Sequence, residues 1–485
     1  MKHLLAILFF AIALSASAAE YTVNPGDALP AVQSGDVLTF APGMHRLAIQ
    51  CRTNGVTYRG EAGSVILDGS EPVANWVQML QPSGWWGGDL PQGAQPTTAN
   101  LYCNSEPMMI AQTPNVGAGQ MDDLSKFLEF DPLQCDGVSL THDFFDGADW
   151  TGATIALWVY GNTIQYRTIT ESSGGRVAWV DKVTPYNDRN GRFALFNSLH
   201  GMDTPGEYIV IGSKVYIIPP EGVDPRTAEI TASIRNHAFD LRGADNITIE
   251  GFTIQKYCGG DWAGGVAIFN NASGDRCKSP TIRNNTLRFN RNWSGTSATL
   301  DLRYCDDARI EGNTIRDNPH QRGLLLVQNT GLVAVGNTIE RNGGTGVYIA
   351  GGQVNTVRDC FLRVCAAVHA NGLTVGNGAT DTTFDGNTVE NYNIALTLNE
   401  SYRTTITNNQ LARTDDRFCA AAWDDFYPAC WDSLTISGNT LSRTSPPRIA
   451  EMNAAQPTPT PTPAVKRYLI TVPAASGVTI EEVTE

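Results

Sequence analysis

The chain has 485 residues and 47 glycines, enough length for a large core and for more than one domain. Its 34 Lys+Arg stand against 49 Asp+Glu, a net charge of −15. That balance argues against nucleic acid or an anionic membrane surface as a partner. In chain order, Lys2 and His3 precede an apolar run from Leu4 to Leu14, and Ala16-Ser17-Ala18 supplies small residues for cleavage. Residues 1–19 therefore read as a signal peptide cut near Ala18-Ala19. The run is too short for a membrane span, and no later stretch approaches the about 18 apolar residues a span needs. The expectation is a soluble monomer that is secreted, periplasmic or extracellular.

Residues 20–73 read as an N-terminal cap and first coils. Gly35-Asp36-Val37-Leu38-Thr39-Phe40-Ala41-Pro42-Gly43 is a strand ending in a turn, and 55–60 and 64–69 are short strands closed by Gly60 and Gly69. Residues 74–236 break this rhythm. They are rich in Trp, Tyr and β-branched residues, with a hairpin turn predicted at Gly212-Ser213-Lys214. This segment reads as an inserted antiparallel β domain.

From 237 to 448 a phrase recurs: Asn285-Thr286-Leu287, Asn313-Thr314-Ile315, Asn337-Thr338-Ile339, Asn387-Thr388-Val389, Asn409-Gln410-Leu411 and Asn439-Thr440-Leu441, with Cys360-Phe361-Leu362 filling the gap. The steps are 28, 24, 23, 27, 22 and 30 residues. Such a period marks a repeat architecture. Short alternating β-branched runs without helical periodicity make it a parallel β-helix, all-β, one coil per repeat. At one coil per ~4.8 Å the stack is roughly 35–45 Å long. A Pro/Thr linker is expected over 449–463 and a tail over 464–485.

All ten cysteines lie beyond the leader. An even count in an exported chain suggests disulfides, with Cys277/Cys305, Cys103/Cys135 and Cys419/Cys430 as candidate pairs. The alternative, open for Cys360 and Cys365, is a stack of small buried residues. No pair has CxxC spacing, so no zinc site is expected.

Aligning the coils on the repeat Asn brings a second strand about ten residues upstream into register. Leu302, Leu326, Ile349, Val375 and Leu398 point inward, which sends Asp301, Tyr348, Thr374, Thr397 and Trp423 outward, with Arg303 and Asn399 beside them. Trp262, Thr296, His320, Gly343, His369 and Tyr392 fall at the preceding corner. A face rich in aromatic, imidazole and carboxylate groups suits a glycan: rings stack on sugars and carboxylates do acid–base work. The catalytic candidates are Asp301, His320, His369, Glu400 and Asp424. The candidates for binding are Asp261, Trp262, Arg303, Arg322, Tyr348, Asn371, Tyr392 and Trp423. Glu400 with Asp424 or Asp425 lies 24 or 25 residues apart on adjacent coils; Asp301 with Asp261 is the second pair. Each has a structural alternative. Asp301 pairs with Arg303 or Arg322, His320 caps a turn, and the aromatic loop around Trp423 covers the end of the stack. The pattern calls for no cofactor and no metal ligands, and it leaves calcium open.

The opening Gly-Asp-x-x-x-Phe-Ala-Pro-Gly, then strand-Arg59-Gly60 and strand-Asp68-Gly69, resembles the pectin-lyase-like right-handed β-helix superfamily of carbohydrate-active proteins. The resemblance spans roughly 27–73 and 237–445. Val368-His369-Ala370-Asn371-Gly372 is similar to a His-x-Asn/Asp-Gly phrase placed at clefts of that superfamily, and 205–220 is similar to a segment of its glycosidases. The resemblance implies a polysaccharide or oligosaccharide substrate. A glycoside hydrolase is the first expectation. A polysaccharide lyase on a uronic-acid glycan is the second, and a non-catalytic glycan-binding adhesin the third. The family's polygalacturonase Asp-Asp with Gly-His signature and its epimerase Asp-Pro-His-Asp phrase are absent, and Asn318-Pro319-His320-Gln321 only echoes the latter.

Overall fold

The computed structural model describes residues 18–94, 100–115, 117, 124–160, 163–185, 189–258, 268–271, 274, 276–291, 298–363, 370–411, 418–455, 468–471 and 479–482. The proposed leader, up to residue 17, lies outside the described residues, as do Asp261, Trp262, Thr296, Cys365 and His369.

Three long parallel sheets run the length of the molecule. The first has 11 strands, from Glu20–Val23 to Thr435–Ser437. The second has ten, from Gly43–His45 to Thr440–Leu441, and the third has ten, from Ile49–Gln50 to Thr444–Ser445. Each turn of chain visits third, first and second sheet in order, as in Ala298–Arg303, Arg309–Glu311 and Thr314–Arg316. This is a right-handed parallel β-helix. Its interior is a column of Leu, Ile and Val, with Leu300, Leu302, Leu324, Leu326, Val347 and Ile349 inaccessible to solvent. No single coil buries its apolar side alone, so stability comes from stacking.

The corner between the first two sheets explains the repeating Asn. The side-chain amide of Asn285 donates to Asn313, Asn313 to Asn337, Asn387 to Asn409 and Asn409 to Asn439, at 2.8–3.1 Å. Each amide also reaches a strand carbonyl, as Asn313 does at Ile282 (2.9 Å), so a tight buried bend leaves no orphaned polar group. Cys360 interrupts the ladder, and Asn337 meets its sulfur at 3.8 Å. The last rung is filled from a helix: Asn453 accepts from Asn439 at 2.9 Å. That helix, Arg448–Ala455, packs on the end of the stack with Ile449 buried. A run of helix formers folds here, where the sequence suggested the start of a linker. In the tail, Tyr468–Thr471 and Thr479–Glu482 pair with each other antiparallel.

The strands around 57–68 pair directly with those at 248–255, Thr57 with Thr248 and Ile66 with Thr253, so the inserted residues leave and re-enter between adjacent coils. The insert holds four smaller sheets, antiparallel apart from the pairing of Met109–Ile110 with Glu207–Tyr208. Ile211 pairs with Lys214 across Gly212-Ser213, the expected hairpin, with Gly212 at φ 60°. Where insert and stack join, Lys256 and Asp68 form a fully buried ion pair at 3.4 Å. Gln255 donates to Asp68 at 2.9 Å, and the Lys256 ammonium lies 5.2 Å from the Tyr102 ring. Tyr102, from the insert, donates to the Phe289 carbonyl at 2.8 Å. A buried pair of this kind contributes little when intact, but removing one partner costs about 3–5 kcal/mol.

None of the nine described cysteines is disulfide-bonded; all are buried thiols. This corrects the three expected bridges. Cys277 and Cys305 do stack in register on neighbouring coils. Both face into the stack, and the Cys277 thiol donates to the Ala244 carbonyl at 3.1 Å. Burial pushes Cys51 and Cys258 up to about 12 and Cys360 to about 11.

Candidate active site on the third sheet

The outward column of the third sheet reads Asp240, Phe269, Asp301, Leu325, Tyr348, Thr374, Thr397 and Ala421, each paired with the next. The register is the one that alternation predicts, except at its end. Ala421 takes the place expected for Trp423, which lies two residues on, beside Asn399. The column faces outward but is not an open platform. Leu325, Thr374 and Thr397 are all buried.

Asp301, Arg303, Arg322 and Tyr348 do come together. Arg303 clamps the fully buried Asp301 carboxylate through two bonds of 2.8 and 2.7 Å. Arg322, half-buried, lies 5.3 Å over the Tyr348 ring. Asn377 donates to the Tyr348 hydroxyl at 3.0 Å. Burial pushes the Asp301 carboxyl up, with Arg303 and Arg322 pulling the other way. Burial also lowers Arg322 from the usual guanidinium range. It raises the Tyr348 phenol, with Arg322 and Asn377 opposing and Asp425 adding to the rise.

The second group gathers at the far end of the same sheet. Leu398 pairs with Ala422, and the Trp423 amide donates to the Leu398 carbonyl at 3.0 Å. Glu400 and Asp424 each lie two residues past these paired strands, on adjacent coils, in the turns that follow the ladder. Tyr402 donates to Glu400 at 3.1 Å. Trp423 is 49% exposed and Asp424 is exposed, while Asp425 is half-buried with one carboxylate oxygen enclosed and unpaired. Thr397 and Ala421, on the coils of Glu400 and Asp424, mark the distance: Asp301 is five coils from Ala421, roughly 24 Å. The two groups cannot share one acid–base pair.

Three candidates are not presented to a ligand. Tyr392 belongs to the coil core at 1% exposure, because its hydroxyl turns toward Gly346, where a Cβ would meet it at 3.0 Å. Asn371 is buried at the start of its strand, paired with Ile394. His320 is buried at the corner before Arg322, at φ 59°, with Nδ1 3.1 Å from the hydroxyl of Tyr166 in the insert. Its ring meets the inserted domain instead of the open face. Asp261, Trp262 and His369 fall outside the described residues. Sequence reading missed Asn377, a left-handed residue (φ 55°) in the turn after the strand. It also missed Tyr166, whose partner is 154 positions away. Among the described residues no three His, Cys, Asp or Glu side chains gather as metal ligands. No helix among them is long and apolar enough to cross a membrane.

Comparison with known proteins fits this architecture. Residues 237–411 match the family described as "Right handed beta helix region". No curated protein matches in sequence. A solved structure titled "Glycoside hydrolase" is similar at 12% identity and a TM-score of 0.46, over 80% of this chain and 88% of that one. The complex of XylC with xylose is similar at 13% identity and 0.48, over 83% and 68%. The catalytic unit of a GH87 alpha-1,3-glucanase from Streptomyces thermodiastaticus strain HF3-3 is similar at 12% and 0.31, over 72% and 75%. The coil stack of this chain is a right-handed parallel β-helix, the architecture that the matched family describes.

Proposed function

We propose that the protein is an exported glycoside hydrolase whose acid–base pair is Glu400 with Asp424, working on a polysaccharide or oligosaccharide laid against the C-terminal end of the third sheet. The observation that carries this reading is the register of Leu398 with Ala422. It supports a reading in which Glu400 and Asp424, each two residues past the paired strands, lie about one coil apart near the half-exposed Trp423. That spacing suits the ~5–5.5 Å separation of a retaining pair, one carboxylate as nucleophile and the other as acid and then base. Trp423 supplies a stacking face for the sugar. Asp301 is a poor acid–base candidate by comparison, since both its oxygens are held by Arg303 and it has no solvent access. In this reading the Asp301–Arg303–Arg322–Tyr348 network stiffens and shapes the wall of the cleft. The apolar run from Leu4 to Leu14, followed by Ala16-Ser17-Ala18, supports export, and this reading calls for no cofactor. Reducing-sugar release across a panel of neutral and acidic glycans tests the reading. Glu400→Gln and Asp424→Asn should each lower turnover by about 10²–10⁴-fold. Undiminished turnover in both variants overturns it.

One observation favours a second reading. Burial lowers the Arg322 guanidinium beside Tyr348, the direction a lyase base requires. A lyase would give an unsaturated, ultraviolet-absorbing product from a uronic-acid glycan, and Arg322→Ala would abolish it while Glu400→Gln would not.

A further inference from the structure

A pocket of about 300 Å³ lies at the edge of the inserted domain, lined by Pro72, Asn75, Trp76, Pro225, Arg226 and Glu229 among others. The pairing of Ala74–Gln78 with Trp86–Asp89 slips between Ala74 and Val77, and Asn75 adopts φ 54°. Bulges of this kind re-aim side chains and are common beside sites. Asn75 is held by Asp89 at 2.8 Å. Next to it the Trp76 ring lies on bare backbone: a Cβ at Gly88 would come within 3.0 Å of it.

The charged groups are paired from outside the pocket. Asp224 grips Arg226 through bonds of 3.0 and 2.6 Å, and the Arg226 guanidinium lies 5.3 Å from the Trp86 ring. Arg46, from the first coils, holds Glu229 at 2.9 Å. The pocket thus offers an indole, one cation and one anion, each already neutralised by a partner, and a side-chain amide. It has hydrogen-bonding capacity without net charge. Such a set matches a neutral, hydroxyl-rich ring: the apolar face of a sugar stacks on indole, and paired donors and acceptors take its hydroxyls. The volume is at the low end of the ≈300–1,000 Å³ range of small-molecule sites, which fits a sugar ring or a chain end better than the middle of a polymer.

We propose that this pocket is a second, non-catalytic carbohydrate subsite that takes a neutral sugar ring, separate from the cleft on the third sheet and independent of what that cleft does. The test uses the full chain labelled with fluorotryptophan, with Trp76→Phe to identify the Trp76 fluorine resonance. Cellobiose, maltose, lactose and xylobiose are added in turn, with galacturonate as the charged control. The expected result is a saturable shift of the Trp76 resonance with at least one neutral sugar, weakened about tenfold or more in Arg226→Ala and Glu229→Gln, in keeping with loss of one directed contact. The remaining tryptophan resonances report that the variants stay folded. A Trp76 resonance that no neutral sugar moves overturns the proposal. So does a shift of undiminished affinity in both variants.

Discussion

The tripeptide Asp-Leu-Arg occurs twice on the same outward column, at Asp240-Leu241-Arg242 and at Asp301-Leu302-Arg303, with the Phe269 coil between them. The local geometry repeats. Arg242 clamps Asp240 at 2.9 and 2.7 Å, and Arg303 clamps Asp301 at 2.8 and 2.7 Å. The charge states diverge. Burial works against ionisation of Asp240, but Arg242 and a second arginine, Arg52 from the coil before, outweigh it and hold the carboxyl far below the usual range. At Asp301 the side chain is fully covered, and the next arginine along, Arg322, lies over Tyr348. There burial wins and the carboxyl rises. The same three residues therefore hold a buried carboxyl below its usual range in one place and above it in another, and the neighbouring coils decide which.

The largest expected effect separates the two clamps directly. Arg303→Met strands a buried carboxylate and should cost about 3–5 kcal/mol in urea unfolding. Arg242→Met leaves Asp240 with Arg52, and both arginines are about half-exposed, so the loss should stay within about 1 kcal/mol. Equal losses would break the comparison.

The next effect is in pH. Asp240 has a depressed folded value, so its stability contribution is present above the unfolded carboxylate pKa and is lost as pH falls through the folded one. Asp301 has the opposite sign: its raised folded value makes its contribution present at low pH and lost as pH rises through that value. Thermal melts across the acid range should show Asp240→Asn flattening the acid limb. Asp301→Asn should gain on wild type toward neutral pH. Matching profiles for the two variants would show that Asp301 is ionised like Asp240.

The thiols extend the contrast to uncharged burial. With folded values near 11–12 at Cys51, Cys258 and Cys360, the native state keeps protons that the unfolded chain releases above about 8.5. Stability should therefore decline as pH rises beyond that point. A colorimetric thiol reagent should find the described cysteines unreactive in the native protein and reactive after unfolding in denaturant without reductant. Missing thiols in that assay would restore the disulfides.

The smallest effect concerns the asparagine corner, where neighbours again set the value of a residue. Asn387 meets Asn409 at 2.9 Å, whereas Asn337 meets the Cys360 sulfur. Asn387→Ala should cost about 1–3 kcal/mol, since it removes a buried donor's partner. Cys360→Asn completes the ladder and should shift stability by no more than about 1 kcal/mol.

Much of this architecture was legible without coordinates. A repeated Asn with β-branched residues after it specifies one bend and one strand per coil. Alternation then assigns inward Leu302, Leu326 and Ile349 and outward Asp301 and Tyr348, because the side-chain period of a strand is two. The same reasoning failed at corners. Tyr392, a binding candidate by its place in the sequence, folds inward over Gly346, because a corner has no fixed side-chain period. Cys277 and Cys305 were placed correctly on adjacent coils, yet as stacked inward thiols without a bond.

The sequence by itself determined the winding, the register and the order of residues along each face, because these follow from local periodicity repeated about every two dozen residues. Only the tertiary structure decided which of those residues meet water and which hold a charge. Tyr166 reaching His320, Arg52 reaching Asp240 and Arg46 reaching Glu229 all span 150 residues or more. Desolvation and ion pairing depend on what lies within a few ångströms in space, and no local pattern in the chain encodes that.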